Sequence, residues 1–146
     1  MRRVVVGLDV EGRSTVVRSD SSLARVERPS GAVVEELWRV EHLPAGRSDD
    51  GSSAGEMASS PPPGGLSWRA FTIPPAAGEG VALTLSGSSD LFLLTVVSGA
   101  AVLVLESGAV ALDRGDAVVL PGHMHAWRNP HAVDCVIVTT VVRLSH

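Results

Sequence analysis

The sequence predicts an all-β protein in which antiparallel strands form a sandwich or barrel. Short apolar stretches rich in Val, Leu and Thr recur between residues 67 and 143, and turns containing Gly, Ser, Asp or Pro separate them. Many short strands at this spacing are typical of sandwiches and barrels. The chain has 146 residues, which suits a single domain (residues 1–146) with a buried core, and no helix of substance is predicted.

The composition excludes several classes of protein. Hydrophobic residues make up 45% of the chain and charged residues 19%, which argues against disorder. A net charge of −4 leaves no basic surface for nucleic acid, and the apolar runs are too short to span a membrane. The N-terminus lacks the pattern of a signal peptide, and the single cysteine, Cys135, cannot form an internal disulfide. A cytoplasmic protein is therefore expected.

The lack of lysine and tyrosine limits the chemistry that the protein can perform. All 12 basic residues are arginine, and the chain contains no tyrosine. A Schiff-base lysine, a phosphate-loop lysine and a phenolic acid are therefore excluded as catalytic groups.

The N-terminal region, residues 1–42, predicts strands that precede the main series. Residues 2–6 and 14–18 are rich in valine and flank a turn that contains Gly and Asp, which predicts a hairpin. Residues 32–42 predict a further strand, in preference to a helix, because they are rich in β-branched and aromatic side chains. Polar and apolar residues alternate imperfectly there, so the pattern does not decide which face carries Trp38.

The segment 43–66 differs sharply in composition from its surroundings. It is rich in Pro, Gly, Ser, Ala and Asp, and it cannot bury enough apolar surface to fold alone. One interpretation is a solvated loop or linker. The other is a lid that packs over the mouth of a cavity, because long loops in compact domains often have a function.

The main series of strands follows this loop. Strands are expected near residues 67–73, 81–86, 91–97, 101–106, 109–112, 117–120, 124–129 and 133–143. In several of them, such as 91–97 and 136–138, hydrophobic residues occupy successive positions, so both faces are apolar. A sheet with one face in water would alternate between polar and apolar residues. We therefore expect one face to line the interior and the other to meet a second sheet or subunit, which predicts a homodimer.

The most specific pattern in the chain runs from Gly115 to Asn129. It reads Gly-Asp-Ala-Val-Val-Leu-Pro-Gly-His-Met-His-Ala-Trp-Arg-Asn, with a glycine turn, a Pro-Gly corner and a strand. This segment resembles the second sequence motif of the cupin superfamily. The resemblance implies a cupin-type jelly roll formed by residues 67–143, with residues 1–42 as extra N-terminal strands and residues 43–66 as the intervening loop.

The companion motif, which supplies most of the metal ligands in cupins, is missing. The positions of two histidines and a carboxylate fall near residues 85–88 and on Phe92, so His125 matches the one remaining ligand. A site of three histidines, with His123 and His131, is an alternative. It is disfavoured because His131 follows an Asn-Pro turn that directs its side chain elsewhere. The resemblance therefore implies a cupin that lacks most metal ligands, and neither a metal nor another cofactor is expected.

The interior of the predicted barrel is apolar. A benzyl group at position 92 can neither bind a metal nor move a proton, and His125 and Arg69 remain as isolated polar points. An eight-stranded barrel can hold a small ligand, although a filled core without a cavity is the alternative. His125 is the candidate catalytic residue. The candidate residues for binding a hydrophobic small-molecule substrate are Trp38, Trp68, Phe71, Leu83, Leu85, Phe92, Leu94 and Trp127.

Three further segments narrow the resemblance. Residues 36–39 (Glu-Leu-Trp-Arg), 61–65 (Pro-Pro-Pro-Gly-Gly) and 125–129 (His-Ala-Trp-Arg-Asn) resemble those of small single-domain cupins of natural-product biosynthesis. Members of that group act on polyketide intermediates as decarboxylases, dehydratases or cyclases. Metal-free β-barrel cyclases that fold a polyene for intramolecular cycloaddition are a compatible class, by analogy of fold.

Three functions follow as hypotheses. The first is a metal-independent cyclase of an apolar polyketide-type intermediate, in which the pocket holds the reacting ends together and His125 orients the substrate. The second is a dehydratase, decarboxylase or isomerase in which His125 moves a proton. The third is a protein that binds an apolar small molecule without chemistry. A flat pH profile favours the first hypothesis, and turnover that titrates near neutral pH favours the second.

Overall fold

The computed structural model describes residues 1–21, 23–47, 49–52, 57–80 and 83–145. This part of the chain forms β-strands joined by turns and loops, without a helix, which confirms the all-β prediction. It accordingly offers no helix long and apolar enough to cross a membrane. The strands are β1 (Arg3–Leu8), β2 (Ser14–Asp20), β3 (Ala24–Glu27), β4 (Val33–Val40), β5 (Leu66–Ile73), β6 (Asp90–Ser98), β7 (Ala101–Leu105), β8 (Gly108–Leu112), β9 (Ala117–Leu120), β10 (His125–Arg128) and β11 (Cys135–Arg143).

The described strands form three antiparallel sheets. A six-stranded sheet has the order β3-β4-β5-β11-β6-β9, a three-stranded sheet has the order β10-β7-β8, and β1 and β2 form a separate hairpin. The two larger sheets pack face to face, because Ile73, Leu94 and Ile137 of one share a buried cluster with Leu103 and Leu112 of the other. The architecture is therefore the predicted β-sandwich with extra N-terminal strands.

Alternation along β11 decides which side chains face the interior. This strand lies between β5 and β6, and its residues Cys135, Ile137, Thr139 and Val141 are buried while the residues between them are half-buried. Successive side chains of a strand point to opposite faces, so these four share the face that packs on the three-stranded sheet. The residues of β5 and β6 that pair directly with these four therefore also face the interior.

The N-terminal hairpin is attached to the larger sheet through Arg3. Its guanidinium donates hydrogen bonds to the Asp20 carboxylate at 2.8 and 3.1 Å and to the Leu37 carbonyl at 2.8 Å, and it lies 6.0 Å from the centre of the Trp38 ring. The hydrogen bonds from Arg3 hold the pKa of Asp20 below its usual range. One side chain thus joins both strands of the hairpin to β4.

The structure differs from the prediction in two places: one predicted strand is absent from the described residues, and one strand was not predicted. In the predicted strand 81–86, residues 81–82 lie outside the described residues, and residues 83–85 form no strand. Only Ser86 pairs, through an isolated antiparallel bridge to His125 on the edge of β10 that faces away from β7. The strand β3 was not predicted. Its four residues alternate Ala and Val with Arg and Glu, which is too short a pattern to distinguish from a loop.

Candidate functional site

A cavity of about 430 Å³ lies in the sandwich, and it opens to solvent beside the exposed residues of its lining, Arg28, Ser30, Ser86 and Ser88. Its volume falls within the range of small-molecule sites in proteins. Most of its wall is apolar and is formed by Ala32, Val34, Phe71, Phe92, Leu94, Leu120, Trp127, Ile137 and Val141. Its polar residues are Arg28, Ser30, Arg69, Ser86, Ser88, His125 and Thr139. The interior therefore contains space for a guest, in contrast to the alternative of a filled core.

Strand register brings the apolar wall together. Phe71 on β5 pairs with Ile137 on β11, and Val141 on β11 pairs with Phe92 on β6, which in turn pairs with Leu120 on β9. Directly paired residues in antiparallel strands place their side chains on the same face. One continuous surface of the six-stranded sheet thus lines the cavity.

Four rings form an arc around the cavity. The ring of Phe71 meets Trp127 at 6.2 Å, Trp127 meets His125 at 6.4 Å, and His125 meets Phe92 at 6.2 Å, each in an edge-to-face arrangement. Edge-to-face pairs stabilise by about 0.5–1.5 kcal/mol beyond the area that they bury. The arc combines residues of both sheets, since β10 belongs to the three-stranded sheet.

The imidazole of His125 is held in one tautomer. Its Nδ1 lies 2.8 Å from the backbone carbonyl oxygen of His123. A carbonyl oxygen only accepts hydrogen bonds, so Nδ1 carries the proton, and Nε2 of the neutral ring is left with a lone pair. The neutral His125 side chain can therefore accept a hydrogen bond or a proton at Nε2, but it cannot donate one to a substrate carbonyl.

A buried ionic cluster borders the cavity at Arg69. Arg69 is 4% exposed and Glu36 is fully buried. Arg69 donates through Nε to Ser67 Oγ at 2.8 Å, and Ser67 donates to a Glu36 carboxylate oxygen at 2.6 Å. Burial lowers the pKa of the Arg69 guanidinium, and the charge of Glu36 acts in the opposite direction. The cluster is a satisfied structural unit, because the cation and the anion share the intervening hydroxyl.

The same arginine anchors the loop of residues 43–66. Its two terminal nitrogens donate to the carbonyl oxygens of Ser59 and Ala58, both at 2.9 Å. Ser60 adds a hydrogen bond of 2.7 Å to the buried carboxylate of Asp90. This part of the loop is therefore docked on the sandwich behind Arg69. None of the described loop residues belongs to the lining of the cavity.

The structure separates the candidate residues into two groups. His125, Phe71, Phe92, Leu94 and Trp127 lie in the lining of the cavity. The others lie outside it: Trp38, Trp68, Leu83 and Leu85.

The predicted placement of Trp68 in the interior is wrong. Trp68 is 44% exposed and pairs with Trp38 on the outer face of the sheet. It lies three residues from Phe71 on β5, and the alternation of a strand puts residues at odd separations on opposite faces. Leu83 and Leu85 are half-buried in the segment that forms no strand, so no ladder turns them inward.

Several lining residues were not predicted. Thr139 is a polar residue within an otherwise apolar inward series on β11, and its hydroxyl oxygen is buried without a hydrogen-bond partner among the described residues. Period-two alternation through residues 135–141 could have identified it. Arg28 and Ser30 enter the lining from the turn between β3 and β4, and local sequence carries no signal for that contact.

Comparison with known proteins finds solved structures that share this fold. No family model matches the chain, and no curated protein is significantly similar to it in sequence. Solved structures that resemble it over most of their length include three from different organisms. A sugar phosphate isomerase of the cupin superfamily from Silicibacter pomeroyi is 17% identical, with a TM-score of 0.53 over 94% of this chain and 75% of that one.

The other two come from different organisms. The polyketide cyclase RemF from Streptomyces resistomycificus is 14% identical, with a TM-score of 0.55 over 86% of this chain and 82% of its own. The Cnp3 cupin domain of Schizosaccharomyces pombe is 8% identical, with a TM-score of 0.53 over 97% and 87%. Identities this low carry information about fold alone.

Proposed function

From the cupin fold that the chain shares with these structures, we propose that it is a metal-independent cyclase of an apolar polyketide-type intermediate. The observation that carries the proposal is the cavity of about 430 Å³, whose wall is largely apolar and contains one imidazole. The fold likeness to a polyketide cyclase is compatible with it. The substrate would occupy the space inside the arc of four rings.

The donor groups of the cavity do not fit a metal ion. Metals of the first transition row need several nitrogen, oxygen or sulfur ligands on one centre. The lining supplies the imidazole of His125, and Phe92 stands beside it at a ring distance of 6.2 Å. In the described part of the chain, no three His, Cys, Asp or Glu side chains lie close enough to hold a metal. A metal ion therefore has no part in the proposed reaction.

An apolar pocket can accelerate cyclisation by holding the reacting ends together. Orientation of two reacting groups can supply about 7–11 kcal/mol at best, and a cycloaddition needs neither a nucleophile nor a proton transfer. Phe71, Phe92 and Trp127 provide flat surfaces on which a polyene can fold. Nε2 of His125 can accept a hydrogen bond from a hydroxyl or enol of the substrate and so fix its direction.

Proton transfer by His125 is the second candidate function. The contact of Nδ1 with the His123 carbonyl leaves Nε2 as a base in the neutral ring, which is the arrangement that abstraction of a substrate proton requires. A dehydratase, decarboxylase or isomerase of the same class of intermediate would use it. The two candidates share a pocket and differ in how turnover depends on His125.

Turnover is expected to survive removal of metal. Elemental analysis of the purified protein should find iron, zinc, nickel and manganese well below one ion per chain, because one imidazole binds such ions weakly. Activity should be the same with and without a chelator. A stoichiometric metal that is lost together with activity would contradict the proposal, and restoration of activity by that metal would exclude a side effect of the chelator.

We also propose that the protein is a homodimer formed through the outer face of the six-stranded sheet. Trp68, Thr140, Leu93 and Val119 are paired in one row across β5, β11, β6 and β9. Three of them are large and exposed, at 44% for Trp68, 43% for Leu93 and 69% for Val119. A row with three large, exposed apolar side chains is more typical of an interface between subunits than of a face in water.

A charge in this row is expected to separate the subunits. Leu93→Arg should convert a dimer to a monomer in analytical ultracentrifugation, because a desolvated and unpaired arginine opposes association. Val133→Arg is the matched control, since Val133 is 59% exposed in the loop between β10 and β11, outside this row. A monomeric wild-type protein, or a dimer that is unaffected by Leu93→Arg, would contradict the proposed interface.

A further inference from the structure

We propose, building on the function proposed above, that the guest of the cavity is an amphipathic organic anion. Its apolar body would lie inside the arc of rings, and its anionic head would lie at the open end beside Arg28. Arg28 would thereby select anionic guests over neutral ones.

The charges on the lining are of one sign. Arg28 and Arg69 belong to the lining, while no aspartate or glutamate among the described residues does. Glu36 and Asp90 are buried close to Arg69, behind the wall. An apolar cavity whose charged groups are all basic attracts anions and disfavours cations.

All three guanidinium nitrogens of Arg69 already donate hydrogen bonds within the fold. Its Nε donates to Ser67, and its two terminal nitrogens donate to the carbonyl oxygens of Ser59 and Ala58. Glu36 lies 3.9 Å away and offsets its charge. The positive charge that remains available in the lining is therefore that of Arg28.

Arg28 lies in the exposed part of the lining. Its side chain is exposed, and it forms no ion pair or hydrogen bond with the residues that the structure describes. Its backbone is fixed by the turn between β3 and β4, in which Arg28 N–H donates to Ala32 at 2.7 Å and Gly31 N–H donates to Arg28 at 2.9 Å. A guanidinium on a fixed turn, unpaired within the described part of the chain, can form a charge-assisted pair with a carboxylate without reorganising the backbone.

Two exposed serines of the lining, Ser30 and Ser88, also carry donor hydroxyls. Ser30 Oγ accepts a hydrogen bond from Ala32 N–H at 3.4 Å, and Ser88 Oγ accepts one from Asp90 N–H at 3.2 Å. A hydroxyl whose oxygen already accepts a bond still has its own proton to donate. The exposed lining residues thus combine a guanidinium with O–H donors, which suits the oxygens of an anion.

Because the anionic head stays at the opening, the free energy of binding can remain favourable. Transfer of an isolated carboxylate into an apolar interior is very unfavourable, whereas a head that keeps part of its water avoids most of that penalty. The apolar body gains from burial at roughly 25 cal/mol per Å². The division into an apolar interior and a basic opening therefore matches a molecule with one apolar and one anionic end.

The test compares two fluorescent probes with the same ring skeleton. Anilinonaphthalenesulfonate is an amphipathic anion, and N-phenylnaphthylamine is its neutral counterpart. For Arg28→Gln, the dissociation constant of the anion should rise about 3- to 10-fold, since a partly exposed charge pair contributes about 1 kcal/mol. Binding of the neutral probe should change less than about 2-fold. Salt should weaken binding of the anion in the wild type and much less in Arg28→Gln.

Two further variants distinguish a failure of the role proposed for Arg28 from a failure of the proposed pocket. Arg114→Gln removes a positive charge from the exposed turn before β9, away from the lining, and should change neither constant. Leu94→Trp fills the cavity and should weaken both probes. Equal anion binding in the wild type and Arg28→Gln overturns the role of Arg28 alone. A neutral probe that does not bind, or that ignores Leu94→Trp, overturns the proposed pocket as well.

Discussion

Phe92→Ala is expected to lower turnover of a polyene or polyketide precursor by at least about 100-fold, while the protein stays folded. Phe92 lies in the lining of the cavity, pairs with Leu120 and meets the His125 ring at 6.2 Å. Loss of the Phe92 ring widens the pocket, so the bound substrate adopts the reactive geometry less often. A half-buried phenylalanine should cost about 2 kcal/mol of unfolding free energy, less than the 3–5 kcal/mol of a fully buried one.

The matched control is Trp68→Ala, compared under conditions in which both variants have the same oligomeric state. Trp68 lies on the same sheet but on its outer face, so turnover per chain should remain within about 3-fold of the wild type. Product is measured by chromatography, and folding is measured by circular dichroism. Equal rates for Phe92→Ala and the wild type, or equal losses in both variants, would remove the cavity from the proposed reaction.

His125→Ala, measured beside these variants, separates the two candidate reactions. A cyclase that works by shape should lose about 10-fold or less and keep a flat pH profile, because one hydrogen bond contributes about 1 kcal/mol. A general base should lose about 100- to 10,000-fold and show a rate that titrates with pH in the wild type. The second outcome would replace cyclisation by acid–base chemistry as the function of the cavity.

Glu36→Ala is expected to have the largest effect on stability, a loss of about 3–5 kcal/mol in the free energy of unfolding. Glu36 is fully buried; it accepts a hydrogen bond from Ser67 at 2.6 Å and lies within 3.4 Å of Arg39 and 3.9 Å of Arg69. Its removal leaves the buried Arg69 charge without its counter-ion. The midpoint of thermal unfolding should fall by about 6–20 °C for a chain of this size.

Two variants calibrate that effect. Glu41→Ala removes a carboxylate that is 59% exposed and 3.7 Å from Arg39, and it should change the unfolding free energy by less than about 0.5 kcal/mol. Glu36→Gln keeps an acceptor for Ser67 but removes the charge, so its loss should be intermediate. A loss below about 1 kcal/mol for Glu36→Ala, measured by urea unfolding, would show that the cluster does not depend on this charge.

A large part of the fold could be predicted from local pattern. The valine-rich hairpin, the strand 32–42 and the strands after residue 67 were located because turn residues and β-branched residues act within a few positions of the chain. The segment 83–85 shows the limit. Its apolar residues look like a strand, but a strand exists only where a neighbour completes its hydrogen bonds, and here only Ser86 has one.

The candidate site could be predicted in part. His125, Phe92 and Leu94 were placed correctly in the interior, because their positions relative to the motif and the alternation of β6 are local properties. Trp68 was misplaced although alternation from Phe71 already put it on the other face. In a strand, an odd or even separation decides which face a side chain occupies, and closeness in sequence does not.

By itself, the sequence determined the all-β class, the position of most strands and the apolar character of much of the interior. These properties depend on residues close to one another in the chain. Only the tertiary structure decided that Arg28 reaches the opening of the cavity, that Arg69 ties the loop at residues 58–59, and that space is left between the sheets. Those contacts join strands and turns far apart in sequence, and they depend on how the two sheets pack.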